Sequence, residues 1–112
     1  MPEHNLSKSL DALRESAIPV ADFLKLVANS NRLLILCRLA QSDACVSELE
    51  EALNLSQPAL SQHLARLRQE GVLETRREGQ QIFYSIRQPL VHDVLAFLNQ
   101  ISPNVETAIS DT

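Results

Sequence analysis

The 112-residue chain has little of several things that would fix its class at once. It has two cysteines, Cys37 and Cys45, too few for a disulfide framework, so they read as thiols of a reducing compartment. No apolar run approaches the roughly 20 residues needed to cross a bilayer. The opening residues, Met1, Pro2, Glu3, His4 and Asn5, lack the basic and apolar regions of a signal peptide. A cytoplasmic protein with no membrane partner is the expectation. The chain also lacks a convincing nucleophile–base pair, a phosphate loop and a complete metal-ligand set, which argues against an enzyme, a bound metal or a cofactor. Last, it lacks net positive charge: at −4, it looks at first unsuited to nucleic acid.

The distribution of charge reverses that last impression. Between positions 56 and 87 stand five arginines, Arg66, Arg68, Arg76, Arg77 and Arg87, against three glutamates, a net of +2. The remainder carries five bases and eleven acids, a net of −6. Positive charge is thus gathered in one segment, and all of it is arginine, the better donor to phosphate and guanine. An acidic remainder keeps such a protein soluble and limits nonspecific binding. Hydrophobic residues at 45% and charged residues at 21% are ordinary for one globular domain, 1–112, near the size where a helical protein dimerises.

The segment around which the chain is organised is a helix-turn-helix at about 46–69. Leu49, Ala52 and Leu53 repeat at helical spacing, and Asn54 can take the left-handed backbone that ends a helix. Ser56 then offers a cap to the next helix, and Pro58 suits a first turn, where its missing N–H would lack a partner. Leu60, Leu64 and Leu67 face inward. Gln57, Ser61, Gln62, His63, Arg66 and Arg68 remain outside with no acid among them, a set suited to base edges and phosphates in a DNA major groove. The spacing alone is equally that of a plain helical hairpin.

The next stretch of chain favours DNA. Gly71 stops the second helix, and 72–77 and 80–86 read as two strands around Glu78 and Gly79. Ile82, Tyr84 and Ile86 alternate on one side with Phe83 and Ser85 on the other. A hairpin in this position, with Arg76, Arg77 and Gln80 near its tip, reads as a DNA-contacting wing at about 72–86 rather than a mere cover for the core.

The flanks are helical. Leu6, Leu10, Leu13 and Ala17 line one side of an N-terminal helix, interrupted by Pro19, before Phe23, Leu24 and Val27 resume the pattern. Whether 5–28 is one kinked helix or two stays open. Asn29 and Ser30 signal the start of a largely apolar, buried helix at 31–40, and 41–44 reads as a polar connection. From Pro89, a last helix carries Leu90, Val91, Val94, Leu95, Leu98 and Ile101, with Phe97 beside them. That stripe is wider than a small domain can bury. The helices at about 5–28 and 89–102 are therefore expected to form a homodimer interface, setting two recognition helices in successive grooves of a near-palindromic site. The tail, 104–112, is mostly polar and expected to fray.

Several runs taken in order, ANSNRLLIL at 28–36, VSEL at 46–49, SQPALSQHL at 56–64, LRQEG at 67–71 and IFYS at 82–85, closely resemble the ArsR/SmtB family. These are bacterial homodimeric repressors released from their operators by an inducer or oxidant. The resemblance, over about 20–102, implies a mainly α, α+β winged helix and double-stranded operator DNA as partner. It also implies that Ser56, Gln57, Ser61, Gln62 and His63 meet that DNA, with Arg66 and Arg68 more peripheral.

The same resemblance bears on what is sensed. One family site puts Cys-Val-Cys at the start of the first helix of the pair; here ACVSEL at 44–49 supplies Cys45 but Ser47 in the second place, and one thiolate is a poor soft-metal site. Another uses Asp and His pairs on the last helix, but His92 and Asp93 have no downstream His to complete four ligands. The chain looks most like the BigR/SqrR/HlyU-like thiol-sensing branch. There a cysteine in a run similar to LLILC at 33–37 works with a second near the end of the last helix. Cys37 matches the first, but NQISP at 99–103 places Ser102 at the second, so the dithiol mechanism cannot run unaltered. A repressor switched by persulfide or oxidant through Cys37, with Cys45 or alone, is the expectation. The alternatives are a metal(loid)-responsive repressor of the same family and a regulator without a working sensor.

Overall fold

The computed structural model describes residues 2–103, and for residues 2–8 the backbone only. The side chain of Leu6 and the tail expected to fray at 104–112 lie outside the described residues. Helix α1, Pro2–Val27, is a single helix with Pro19 inside it, which resolves the open question of one helix or two. Proline removes one intrahelical donor, but α1 is exposed throughout this stretch, so the Glu15 carbonyl it would have met is accessible to water. Among the described side chains of α1, those at its end join the core: Leu26 and Val27 are buried, with Phe23 partly so. Leu24, on the same apolar side in the sequence pattern, is exposed. Ala28 closes the helix through its N–H to the Leu24 carbonyl at 2.8 Å.

Helix α2, Ser30–Gln41, begins where Asn29 accepts the Arg32 N–H on Oδ1 at 3.1 Å, the cap signalled by the sequence. It is the central element, with Ile35, Leu36, Cys37 and Leu39 buried. It packs against α1, against helices α3, Val46–Leu53, α4, Gln57–Gln69, and α5, Leu90–Ile101, and against the sheet. The connection at 41–44, read as polar loop, ends instead in a short strand, β1, Ala44–Cys45. Ala44 and Cys45 are buried because they pair antiparallel with Tyr84 and Phe83. Strands β2, Leu73–Glu78, and β3, Gln81–Ile86, complete a three-stranded antiparallel sheet in the order β1-β3-β2.

The hairpin register runs from Leu73 opposite Ile86 to Glu78 opposite Gln81. Its two-residue loop is therefore Gly79 and Gln80, one position beyond the Glu78–Gly79 turn read from the sequence. Gly79 supplies a φ of +64°, which suits the first loop position and which an L side chain resists. The hairpin is fastened to the fold at its base: Val72 donates to the Leu67 carbonyl and Arg87 to the Val72 carbonyl. The core thus joins α2, α3 and α4 to the hairpin base and α5 through Ile35, Leu36, Leu49, Leu60, Leu64, Leu67, Val72, Leu73, Val91 and Leu95.

Candidate nucleic-acid interface and buried thiols

The turn between α3 and α4 is built as its residues require. Asn54 takes φ 54°, ψ 42° and donates its N–H to the Glu50 carbonyl, ending α3. Ser56 then starts α4: its Oγ accepts the Ala59 N–H at 3.4 Å, its carbonyl accepts Leu60 at 2.9 Å, and Pro58 sits in the first turn. Leu60, Leu64 and Leu67 are almost wholly buried and fix the rotation of α4 about its axis.

With the inward stripe fixed, the directions of the outward residues are set at about 100° per residue. Gln57, Ser61 and Arg68 line one flank of the stripe, Gln62 and Gln69 point directly away from the core, and His63 lies on the opposite flank with Arg66 beyond it. All are exposed except His63, which is half-buried. The candidate contacts therefore span three sides of the helix rather than one narrow face. Arg66 lies beside Glu70, Nε to Oε1 at 3.7 Å, which leaves Arg68 as the cation on the Ser61 side.

At the hairpin, the structure separates residues that the sequence grouped. Arg77 and Gln80 are exposed at the tip, where Arg77 Nε donates to the Gly79 carbonyl at 3.1 Å. Arg76, though also exposed, is tied to its neighbours. Its Nε donates to Glu78 Oε1 at 3.0 Å, its Nη1 to Asp43 Oδ2, and its guanidinium lies 5.1 Å from the centre of the Phe83 ring. Glu78 first and Asp43 second raise its already high pKa. No sequence signal marks Asp43, which stands 33 positions away.

The cysteines are both buried thiols, Cys37 1% exposed within α2 and Cys45 6% at the start of α3. The Cys45 N–H donates to Glu48 Oε1 at 3.1 Å and its thiol to the same oxygen at 3.2 Å; Ser47 Oγ lies 3.2 Å from the sulfur. The backbone donor and then the thiol hold the Glu48 carboxyl below its ordinary value against an opposing effect of burial, with the charge of Arg38 adding less. Glu48 was legible in principle, since an acid three positions after a helix cap is the spacing of a capping box. Ser102 is exposed at the end of α5, its N–H on the Leu98 carbonyl at 2.9 Å. Among the described residues no group of three or more His, Cys, Asp or Glu side chains converges on a possible metal site, and no helix is long and apolar enough to cross a membrane.

Comparison with known proteins accounts for this arrangement. Residues 29–75 match the model of the bacterial regulatory protein family named for arsR. The transcriptional activator HlyU of Vibrio cholerae is 39% identical over 93 residues, covering 83% of this chain and 86% of that protein. A biofilm growth-associated repressor of Agrobacterium fabrum is 46% identical over 79 residues, covering 70% and 68%. A structure of reduced HlyU from Vibrio cholerae superposes with a TM-score of 0.76 at 38% identity, over 81% of this chain and 96% of that one. The helix-turn-helix with its β-hairpin is thus the winged helix of these regulators, and the chain belongs to the arsR family of DNA-binding transcriptional regulators and is not an enzyme.

Proposed function

We propose that the protein is a homodimeric repressor that binds a near-palindromic operator through α4 and the hairpin tip and is released by a thiol-directed signal. The observation that carries the DNA reading is the exposed side of α4. From Ser56 to Gln69 it has no acid and offers hydroxyl, carboxamide, imidazole and guanidinium groups, the chemistry that base edges and phosphates accept. Ser56, Gln57, Ser61 and Gln62 are the main candidates in the major groove. His63, Arg66 and Arg68 suit the flanking backbone, and Arg77 and Gln80 suit the neighbouring backbone or minor groove. Dimerisation is supported by apolar surface left outside the core: Leu10, Leu13, Ile18, Val20 and Leu24 on α1, and Leu90, Phe97 and Ile101 on α5.

For the signal, Cys37 is the favoured target. Its thiolate attacking the outer sulfur of a persulfide RSSH leaves Cys–S–SH and RS⁻. One added sulfur in a packed site 1% exposed forces α2 to shift against the elements packed around it. Ser102 cannot form a disulfide, so a single-sulfur modification needs no partner at that position. The similar HlyU structure from Vibrio cholerae is that of the reduced protein.

The test is to select binding sites from a random-sequence duplex pool with reduced protein, then treat the complex with a persulfide donor. The selected consensus should be an inverted repeat with half-sites about 10 bp apart, one helical turn. The donor should release the DNA, adding one sulfur to Cys37 by mass spectrometry, and a Cys37→Ser variant should stay bound. Selection of direct or single half-sites would overturn the symmetric reading. Release that persists in Cys37→Ser would move the signal to Cys45, and no release in either protein would remove the thiol switch while leaving the DNA binding intact.

A further inference from the structure

We infer that Asp43 is a positioning residue for the hairpin, and that Arg76 serves as the tie it holds rather than as a contact to DNA. The inference rests on the proposed use of the hairpin tip against the operator. Arg76 sits mid-strand in β2, opposite Phe83 in β3. Three interactions fix its guanidinium: Glu78 within the hairpin, Asp43 outside it, and the Phe83 ring beneath it. Of these, Asp43 alone links the side chain to the body of the fold.

Asp43 is itself well placed to transmit a position. It precedes β1, whose Cys45 pairs with the same Phe83 that supports Arg76. The residue before it, Ser42, accepts two hydrogen bonds from Arg38 Nη1, 3.0 Å at the carbonyl and 3.2 Å at the hydroxyl. The end of α2 therefore grips the Ser42–Asp43 link, and that link grips the outer side of the hairpin. Both partners of the Arg76–Asp43 pair are close to half exposed, so the pair contributes little to global stability. What it supplies is direction: β1 holds β3 at Tyr84 and Phe83, whereas the outer strand β2 is tied across to that side of the fold by the Arg76–Asp43 pair.

The charges agree. Two carboxylates already neutralise Arg76, leaving no surplus for a phosphate, whereas the neighbouring Arg77 points to the other face of the strand and stands at the tip. The acid-held arginine orients the hairpin and the next arginine meets the DNA.

The test compares Asp43→Asn, Arg76→Gln, the double variant and Arg77→Gln, using a duplex selected by the wild-type protein. Each of the first two should weaken binding roughly two- to five-fold, the range of an exposed ion pair, and the double variant should be no weaker than either single one. The slope of log affinity against log salt should not change for Arg76→Gln, but should fall by about 0.9 for Arg77→Gln, one phosphate's worth. In the free protein, amide exchange across 73–86 should quicken in Asp43→Asn and Arg76→Gln while the melting temperature stays close to wild type. A slope lowered by about 0.9 in Arg76→Gln, with tighter binding by Asp43→Asn, would show instead that Asp43 competes with DNA for the arginine. Unchanged exchange in both variants would equally overturn the tie. Should Arg77→Gln leave the slope untouched, the use of the tip against DNA fails, and exchange in the free protein still decides whether Asp43 holds the hairpin.

Discussion

Replacing Phe97 with alanine is the sharpest probe of the proposed pairing of two chains. The side chain lies on α5 and is 60% exposed, in line with Ile101 and Leu90 and apart from the buried Val91 and Leu95. Full burial of a phenylalanine side chain is worth about 1.5–3 kcal/mol, so covering the exposed part would contribute about 1–2 kcal/mol. A two-fold interface repeats every contact, and one substitution therefore removes about 2–4 kcal/mol per dimer. At 1.4 kcal/mol per tenfold, the dissociation constant should rise about 30- to 700-fold. Sedimentation equilibrium across a dilution series measures it. Ile82→Ala is the control, an apolar side chain of similar exposure on the hairpin rather than on α1 or α5, and it should leave association unchanged. A Phe97→Ala protein that dimerises like wild type, or a wild-type protein that is monomeric where it binds DNA, would refute the assignment of this face.

Two more outcomes are expected from the core and the α3 cap. Leu64→Ala empties a site that is 1% exposed beneath the recognition helix and should cost about 2–5 kcal/mol in chemical denaturation; a loss under about 1 kcal/mol would mean that α4 is not anchored there. The Glu48 carboxyl, held below its ordinary value by Cys45, adds stability that is present above the unfolded-state pKa and is lost as pH falls through the lower folded value. Wild type should therefore melt higher than Glu48→Gln at neutral pH, and the difference should vanish in acid; a constant difference from neutral to acid pH would contradict the linkage.

The parts of the fold that were legible in the sequence are those set by neighbours along the chain. Leu60, Leu64 and Leu67 announce the inner side of α4 by their spacing, Asn54 and Ser56 mark the turn by their backbone and capping chemistry, and Gly71 marks the stop. The parts that were not legible depend on contacts between distant residues. Strand β1 is two residues long, too short for any periodicity, and exists because Ala44 and Cys45 meet Tyr84 and Phe83. Helix α1 continues through Pro19 because that stretch is open to water, which no local rule reveals. Arg76 has the spacing of one more cation near the hairpin tip, yet Asp43, 33 residues earlier, holds it. His63 sits in an outward run, yet the rotation of α4 leaves it half-buried.

Reading of DNA by the acid-free side of α4 is the step on which the proposed function depends. Ser61 and Gln62 are exposed and outside the core, so Ser61→Ala with Gln62→Ala should leave the fold intact. The direct measurement is affinity for the selected site and for an unrelated duplex at one salt concentration. Specific affinity should fall roughly 10- to 100-fold, the worth of a lost base contact, while nonspecific affinity stays as it was. Equal specific affinity for the variant and the wild type would contradict a recognition role for this face.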